Sequence, residues 1–221
     1  MFQPEEYMGS MVQALRETFG DRLLYVGLQG SYLRGEATES SDLDVVVILE
    51  NLSTRDLAAY KAVVESHPEP EKACGFLCGR QELAGWNPME ICGFLHGTKD
   101  YYGTIADYVP TFTRTDVVNF VKLSAGNLYH EICHRYVHAD EEKNRRNLPG
   151  SFKQVFFILQ SLYYLRDGAF YLTKKELSAH LTGADRAVME LAEVLRCTPD
   201  YDFDEAVQLL LGWCQGILAE V

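Results

Sequence analysis

The sequence predicts an α+β protein: a mixed β-sheet flanked by helices over residues 1–110, followed by an all-helical bundle over residues 111–221. Three observations lead there. Apolar runs of strand length, Leu23 to Leu28, Leu43 to Leu49 and Ala73 to Cys78, alternate with segments bearing helix start and stop signals. Beyond Pro110 the apolar period becomes 3.6 throughout. A hydrophobic content of 47% with 24% charged residues is that of a packed globular chain, and 221 residues suffice for one large or two small domains.

In chain order, Tyr7, Met8, Met11, Val12, Leu15 and Phe19 fall at helical spacing with Gly20 as a stop, so the first helix packs on the sheet. Strands at 22–28 and 43–49 follow, joined by a short irregular segment. Ser53 and Thr54 offer an N-cap to a helix ending near His67-Pro68, and Glu69-Pro70-Glu71 turns into the third strand. Met89 to Leu95 reads as a short helix or edge strand, and Asp100 to Gly103 as a loop. In the second half, helices are expected from Thr115 to His138 and from Ser151 to Arg166, with a charged link, Asp140 to Arg146, and Leu148-Pro149-Gly150 between them. Three more begin at Thr173, at Thr182 and at Asp202, the first with a Thr-x-x-Glu capping box.

The chemistry is concentrated between Gly27 and Glu50. Side chains alternate along a strand, so Asp42 and Asp44 project from one face about 7 Å apart, and Val46 and Ile48 follow them. Leu43, Val45, Val47 and Leu49 line the other face, which makes this an inner strand. Two carboxylates at its mouth are costly to desolvate without a cation. Gly30, after the preceding strand, lets backbone approach a ligand, and Ser31 adds a hydroxyl donor. A polyphosphate and two carboxylates repel unless a hard cation such as Mg²⁺ lies between them.

Gly30-Ser31, ten residues, then Asp42-Leu43-Asp44 resembles the signature of the polymerase-beta-like nucleotidyltransferase superfamily, and Ser41 before Asp42 matches its Ser-Asp-x-Asp form. The chain looks most like the aminoglycoside nucleotidyltransferases, which pair this domain with a C-terminal helical bundle. The resemblance implies a nucleoside triphosphate, most simply ATP, as substrate, Mg²⁺ on Asp42 and Asp44, phosphates at Gly30, Ser31 and Ser41, and transfer of a nucleotidyl group to a hydroxyl of a small acceptor. It also implies a third acid on the neighbouring strand. Here the core of that strand has none; Glu71 at its entrance and Glu82 past its exit are the candidates, with Glu71 preferred as the catalytic residue. Lysines reaching the phosphates from the helical domain are expected at Lys153 and at Lys174 with Lys175. A nucleotide-binding relative without activity and an antitoxin-like interaction protein are the alternative readings.

A net charge of −12 disfavours long nucleic acids, which need clustered Lys and Arg, and suits a small or cationic acceptor. The N-terminal segment has no basic flank or apolar run of a signal peptide, and no stretch approaches a membrane span, which reads as cytoplasmic. Six cysteines without a secretory signal read as reduced core thiols. Cys74-x3-Cys78 and Cys92-x3-His96 have spacing that zinc permits, but the first pair sits in a strand that needs apolar side chains. His130-Glu131-Ile132-Cys133-His134 fits the His-Glu-x-x-His zinc protease pattern on a helix, yet the chain lacks the downstream ligand that either extended form requires; His130, His134 and His138 then form a polar stripe.

Overall fold

The computed structural model describes residues 3–198 and 200–221. The chain divides into two compact units, Met1–Thr111 and Phe112–Val221. Among the described residues no helix is long and apolar enough to cross a membrane.

The first unit is built on a four-stranded sheet of order β3-β2-β1-β4, formed by β1 (Leu23–Gln29), β2 (Leu43–Leu49), β3 (Ala73–Gly79) and β4 (Lys99–Tyr102). β1 runs antiparallel to both β2 and β4, whereas β2 and β3 are parallel, so the sheet is mixed. The alternation along β2 decides how it is covered. Leu43, Val45, Val47 and Leu49 face α1 (Pro4–Phe19) and α3 (Thr54–Ser66), packing with Val26, Leu28, Met8, Met11, Leu15 and Val63. Val46 and Ile48 face the other way and join Tyr25, Cys78, Ile105 and Leu83 of α4 (Arg80–Ala84), with Phe94 and Leu95 of α5 (Pro88–His96) against them. All six apolar residues of β2 are fully buried, as expected of a strand covered on both faces.

One open reading of this half resolves and another changes. Residues 88–96 form a helix, started by Pro88 after an Asn87 side chain that accepts from the Met89 N–H. The stretch from Asp100, expected as a loop, belongs to strand β4, in register with β1 through Val26–Tyr102, Gly27–Asp100 and Leu28–Lys99. Four residues are too few to display a period. What holds this strand is a non-local bond, the buried Tyr25 hydroxyl donating to Asp100 at 2.6 Å.

The second unit is all-helical: α6 (Arg114–His138), α7 (Glu141–Asp167), α8 (Lys174–Ser178), α9 (Gly183–Cys197) and α10 (Phe203–Glu220). Capping boxes at Thr113 and Thr173 start α6 and α8, and the Asp202 carboxylate caps α10. A buried carboxylate, Asp185 of α9, ties three helices: it accepts from Trp213 of α10 at 2.7 Å, and from Arg166 at 2.7 Å and Tyr163 at 3.3 Å, both of α7.

The expected link between residues 140 and 150 is absent, because α7 begins at Glu141 and runs through Pro149. Proline in a helix interior lacks the N–H that the carbonyl four residues earlier would accept. That carbonyl belongs to Arg145, and the Tyr201 hydroxyl donates to it at 2.6 Å, while Arg145 in turn donates to the Tyr201 carbonyl at 2.8 Å. A partner 56 residues away therefore keeps the helix whole. Replacing Tyr201 with Phe leaves the Arg145 carbonyl without its donor, and urea unfolding is expected to show a loss of about 1 kcal/mol.

Candidate active site

β1 delivers the chain to Gly30, whose φ of +72° is a left-handed conformation that favours glycine. The one-turn helix α2 (Gly30–Leu33) follows, closed by the Glu36 N–H donating to the Ser31 carbonyl at 2.9 Å. Ser41 then builds the turn into β2: its hydroxyl accepts from the Thr38 N–H at 2.8 Å, and its own N–H donates to the Thr38 carbonyl at 3.0 Å. Asp42 is exposed and Asp44 half-buried, one residue apart on the same side of the strand.

Gln29 and Asp44 are ladder partners, so the corner after β1 lies over the second aspartate. A Cβ placed on Gly30 would run into the Asp44 carboxylate, 2.7 Å from its Cγ and 3.2 Å from its Cβ. Backbone at the Gly-Ser corner and the acid at the head of the strand are in direct contact, and only glycine satisfies both the dihedral and the space.

Burial pushes the Asp44 carboxyl above the usual carboxylate range; the charge of Asp42 adds to the rise and Arg34 opposes it. Arg34, at the end of α2, is itself paired with Glu36 at 2.9 Å. An ionised Asp44 beside Asp42 thus wants more positive charge than the protein supplies. Two carboxylates offer hard oxygens, the ligands a divalent cation such as Mg²⁺ takes, and the donor set fits that ion.

Glu71 is exposed in the turn two residues before Ala73, the ladder partner of Leu43, and so lies at the same end of the sheet as the aspartates; Tyr7 of α1, whose pKa is raised chiefly by burial, also feels its charge. Glu82 lies in α4, beyond the far end of β3, where Ile48 pairs Cys78 and Leu49 pairs Gly79. Cys74 and Cys78 are four residues apart on one strand, about 13 Å, too far to share an ion. Cys78 and Cys92 are buried thiols pushed up to about 12 and about 11, which makes them inert. Lys153 is exposed on α7, and Lys174 is paired with Glu193 at 2.7 Å. Along α6, His130, His134 and His138 are exposed in a row, the first two rings stacked and the last two tilted. Glu131 turns away from them to Arg135 at 2.8 Å, Ser151 at 2.7 Å and Gln154 at 3.2 Å, so it is not placed to activate water on that stripe. Among the described residues no three His, Cys, Asp or Glu side chains form a metal-binding group.

Residues 10–83 match the family model described as a nucleotidyltransferase domain. The chain is 34% identical over 102 residues to the "Putative protein adenylyltransferase" of Methanocaldococcus jannaschii, an alignment covering 43% of this chain and 69% of that protein. The chain belongs to the nucleotidyltransferase family. Its fold is similar to that of spectinomycin adenyltransferase from Enterococcus faecialis, solved with ATP and spectinomycin: TM-score 0.58 at 14% identity, covering 98% of this chain and 99% of that one.

This nucleotidyltransferase places beside Asp44 three residues that sequence reasoning did not assign to this site. Arg34 was signalled by its spacing, since a single helical turn after Gly30 brings position 34 back over the carboxylates. Gln29 and Cys74 were not, because both are identified by strand register: Asp44 pairs Gln29 on β1 and Cys74 on β3. The strand position beside Asp44 where the family resemblance leads one to expect an acid is a cysteine.

Gly30→Ala should reduce nucleotidyl transfer by about 100-fold or more, because it displaces the carboxylate that positions charge. Asp44→Asn should raise the melting temperature of the metal-free protein at neutral pH. A carboxyl whose folded pKa is raised costs stability once ionised, so the gain vanishes as pH falls below the carboxylate range. Thermal melts of both proteins from pH 3 to pH 8 check this.

Proposed function

We propose that this nucleotidyltransferase transfers the AMP group of ATP to a hydroxyl of a small, cationic acceptor, using Mg²⁺. The observation that carries this reading is the contact of Gly30 backbone with the Asp44 carboxylate, which puts a phosphate-accepting corner against a cation-seeking acid. Asp42 and Asp44 would hold the ion, which when bound supplies neutralisation of phosphate charge. The backbone and hydroxyl of Gly30-Ser31 hold the phosphates, and Ser41 sets the turn that presents Asp42. The acceptor oxygen attacks the α-phosphorus in line, the bond from the α-phosphorus to the bridging oxygen breaks, pyrophosphate leaves, and the acceptor's proton passes to solvent. Catalysis then rests on positioning and charge rather than on a covalent intermediate.

Acceptor recognition is assigned to the helical unit, residues 112–221. A net charge of −12 supports an amine-rich acceptor, as does a fold shared with an enzyme solved with spectinomycin. The relative named as a protein adenylyltransferase supports a protein hydroxyl instead. A second reading, ATP binding without transfer, is favoured by the lack of a third acid in a metal-binding group among the described residues.

The test is pyrophosphate release with Mg²⁺-ATP against a panel of aminated, hydroxyl-bearing small molecules, with α-labelled ATP and a protein extract run in parallel. Small-acceptor turnover is expected, falling by about 100-fold or more in Asp42→Asn and in Asp44→Asn. Full transfer in both variants overturns the assignment. Labelled protein with no small-molecule product moves the acceptor class, and Mg²⁺-dependent ATP binding without pyrophosphate release establishes the second reading.

A further inference from the structure

We propose that Gln29 supplies, through its side-chain carbonyl, the third protein oxygen to the cation held by Asp42 and Asp44, on the β1 side of Asp44 rather than the β3 side. The inference rests on the reading of Asp42 and Asp44 as a cation site.

Asp44 has two ladder neighbours, Gln29 on β1 and Cys74 on β3. Side chains of paired residues project from the same face of a sheet with Cβ atoms about 5 Å apart, so these two flank the Asp44 carboxylate. A thiol is a soft donor, poorly matched to an ion that takes oxygen ligands, whereas an amide carbonyl is a hard one. Of the two flanking positions, only Gln29 offers an oxygen.

The orientation of its amide follows from the donors beneath it. The Thr98 hydroxyl has one proton, and it is donated to the Phe94 carbonyl at 2.5 Å, an oxygen that can only accept. Toward Gln29, therefore, Thr98 can only accept, and it takes the Gln29 amide N–H at 2.6 Å. The NH₂ group is committed to the β4 side. The carbonyl oxygen cannot exchange places with it without setting two acceptors against each other, and it accepts no hydrogen bond from any described residue. That oxygen is open to solvent and groups a third hard acceptor with the carboxylates, the kind of ligand set that a divalent cation takes.

Mn²⁺ binding, read as the water-proton relaxation enhancement on adding protein to Mn²⁺ and a non-hydrolysable ATP analogue, against the protein-free mixture, tests this without reference to turnover. Gln29→Leu should weaken Mn²⁺ binding by about tenfold, and Thr98→Val, which frees the amide to flip, by a smaller factor. Gln29→Glu should bind Mn²⁺ at least as tightly as the parent, and Cys74→Ala should leave the affinity unchanged. Circular dichroism melts confirm that each variant is folded; should Gln29→Leu fail to fold, Thr98→Val and Gln29→Glu carry the test. Parent-like affinity in Gln29→Leu, or in Thr98→Val where that variant carries the test, overturns the proposal, as does a loss in Cys74→Ala. If Asp44→Asn loses Mn²⁺ while Gln29→Leu keeps it, the cation site stands without Gln29; if Asp44→Asn also keeps it, the cation site itself is wrong.

Discussion

The contact between Gly30 backbone and the Asp44 carboxylate is the constraint around which the first unit is arranged. It requires that β1 end one residue before the corner, that β2 pair with it in a register setting Gln29 against Asp44, and that the intervening segment return within a short turn. Each requirement has a local cause. The positive φ of Gly30 bends the chain out of β1, and the Thr38–Ser41 turn steers it back into β2 at Asp42. The rest of β2 is buried on both faces, which fixes the register firmly: a slip of one residue would drive Asp44 into the α1 side of the core. Packing energy spent on Val45 to Leu49 thereby holds the site geometry.

That arrangement stores an electrostatic cost. Asp44 is half-buried next to a second carboxylate, and the Arg34 charge that opposes its raised pKa is shared with Glu36. Groups held in an unfavourable charge state persist where the surrounding fold over-determines them, and such positions are where ligands are bound. The same reasoning separates this pair from the His-Glu-x-x-His pattern on α6. Adjacent helical residues point about 100° apart, so Glu131 leaves the histidine stripe and is spent on Arg135, Ser151 and Gln154. A motif of letters becomes a site only when its side chains converge, and here the Gly-Ser corner lies against Asp44, with Asp42 just ahead of the strand.

How much could be read from the sequence depended on how far apart the cooperating residues lie. The inner strand, its two faces and the Gly30-Ser31 to Asp42-x-Asp44 spacing are local patterns, and they were legible. Strand β4 was not, since four residues show no period and its anchor, the Tyr25 to Asp100 bond, spans 75 residues. The uninterrupted α7 was hidden for the same reason: Pro149 looks like a break until Tyr201 is found on the Arg145 carbonyl. Within the site, Arg34 was within reach of helical counting, while Gln29 and Cys74 acquire meaning only from pairing across β1, β2 and β3.

The cysteine opposite Asp44 bears on how the site is loaded. Two carboxylates and a divalent cation sum to zero charge, whereas a third acid would leave the site negative and better able to hold an ion by itself. A neutral site has little Coulombic attraction left for a second cation and none to repel a polyphosphate. On the proposed function, the ion and the nucleotide would be best bound together, each supplying charge the other lacks, with Gly30 and Ser31 to take the phosphates. An acidic protein surface, −12 overall, makes that pairing more important, because free ATP is repelled where its magnesium complex is repelled less. The same field would draw in a cationic acceptor of the kind proposed while still opposing, more weakly, the approach of the nucleotide complex.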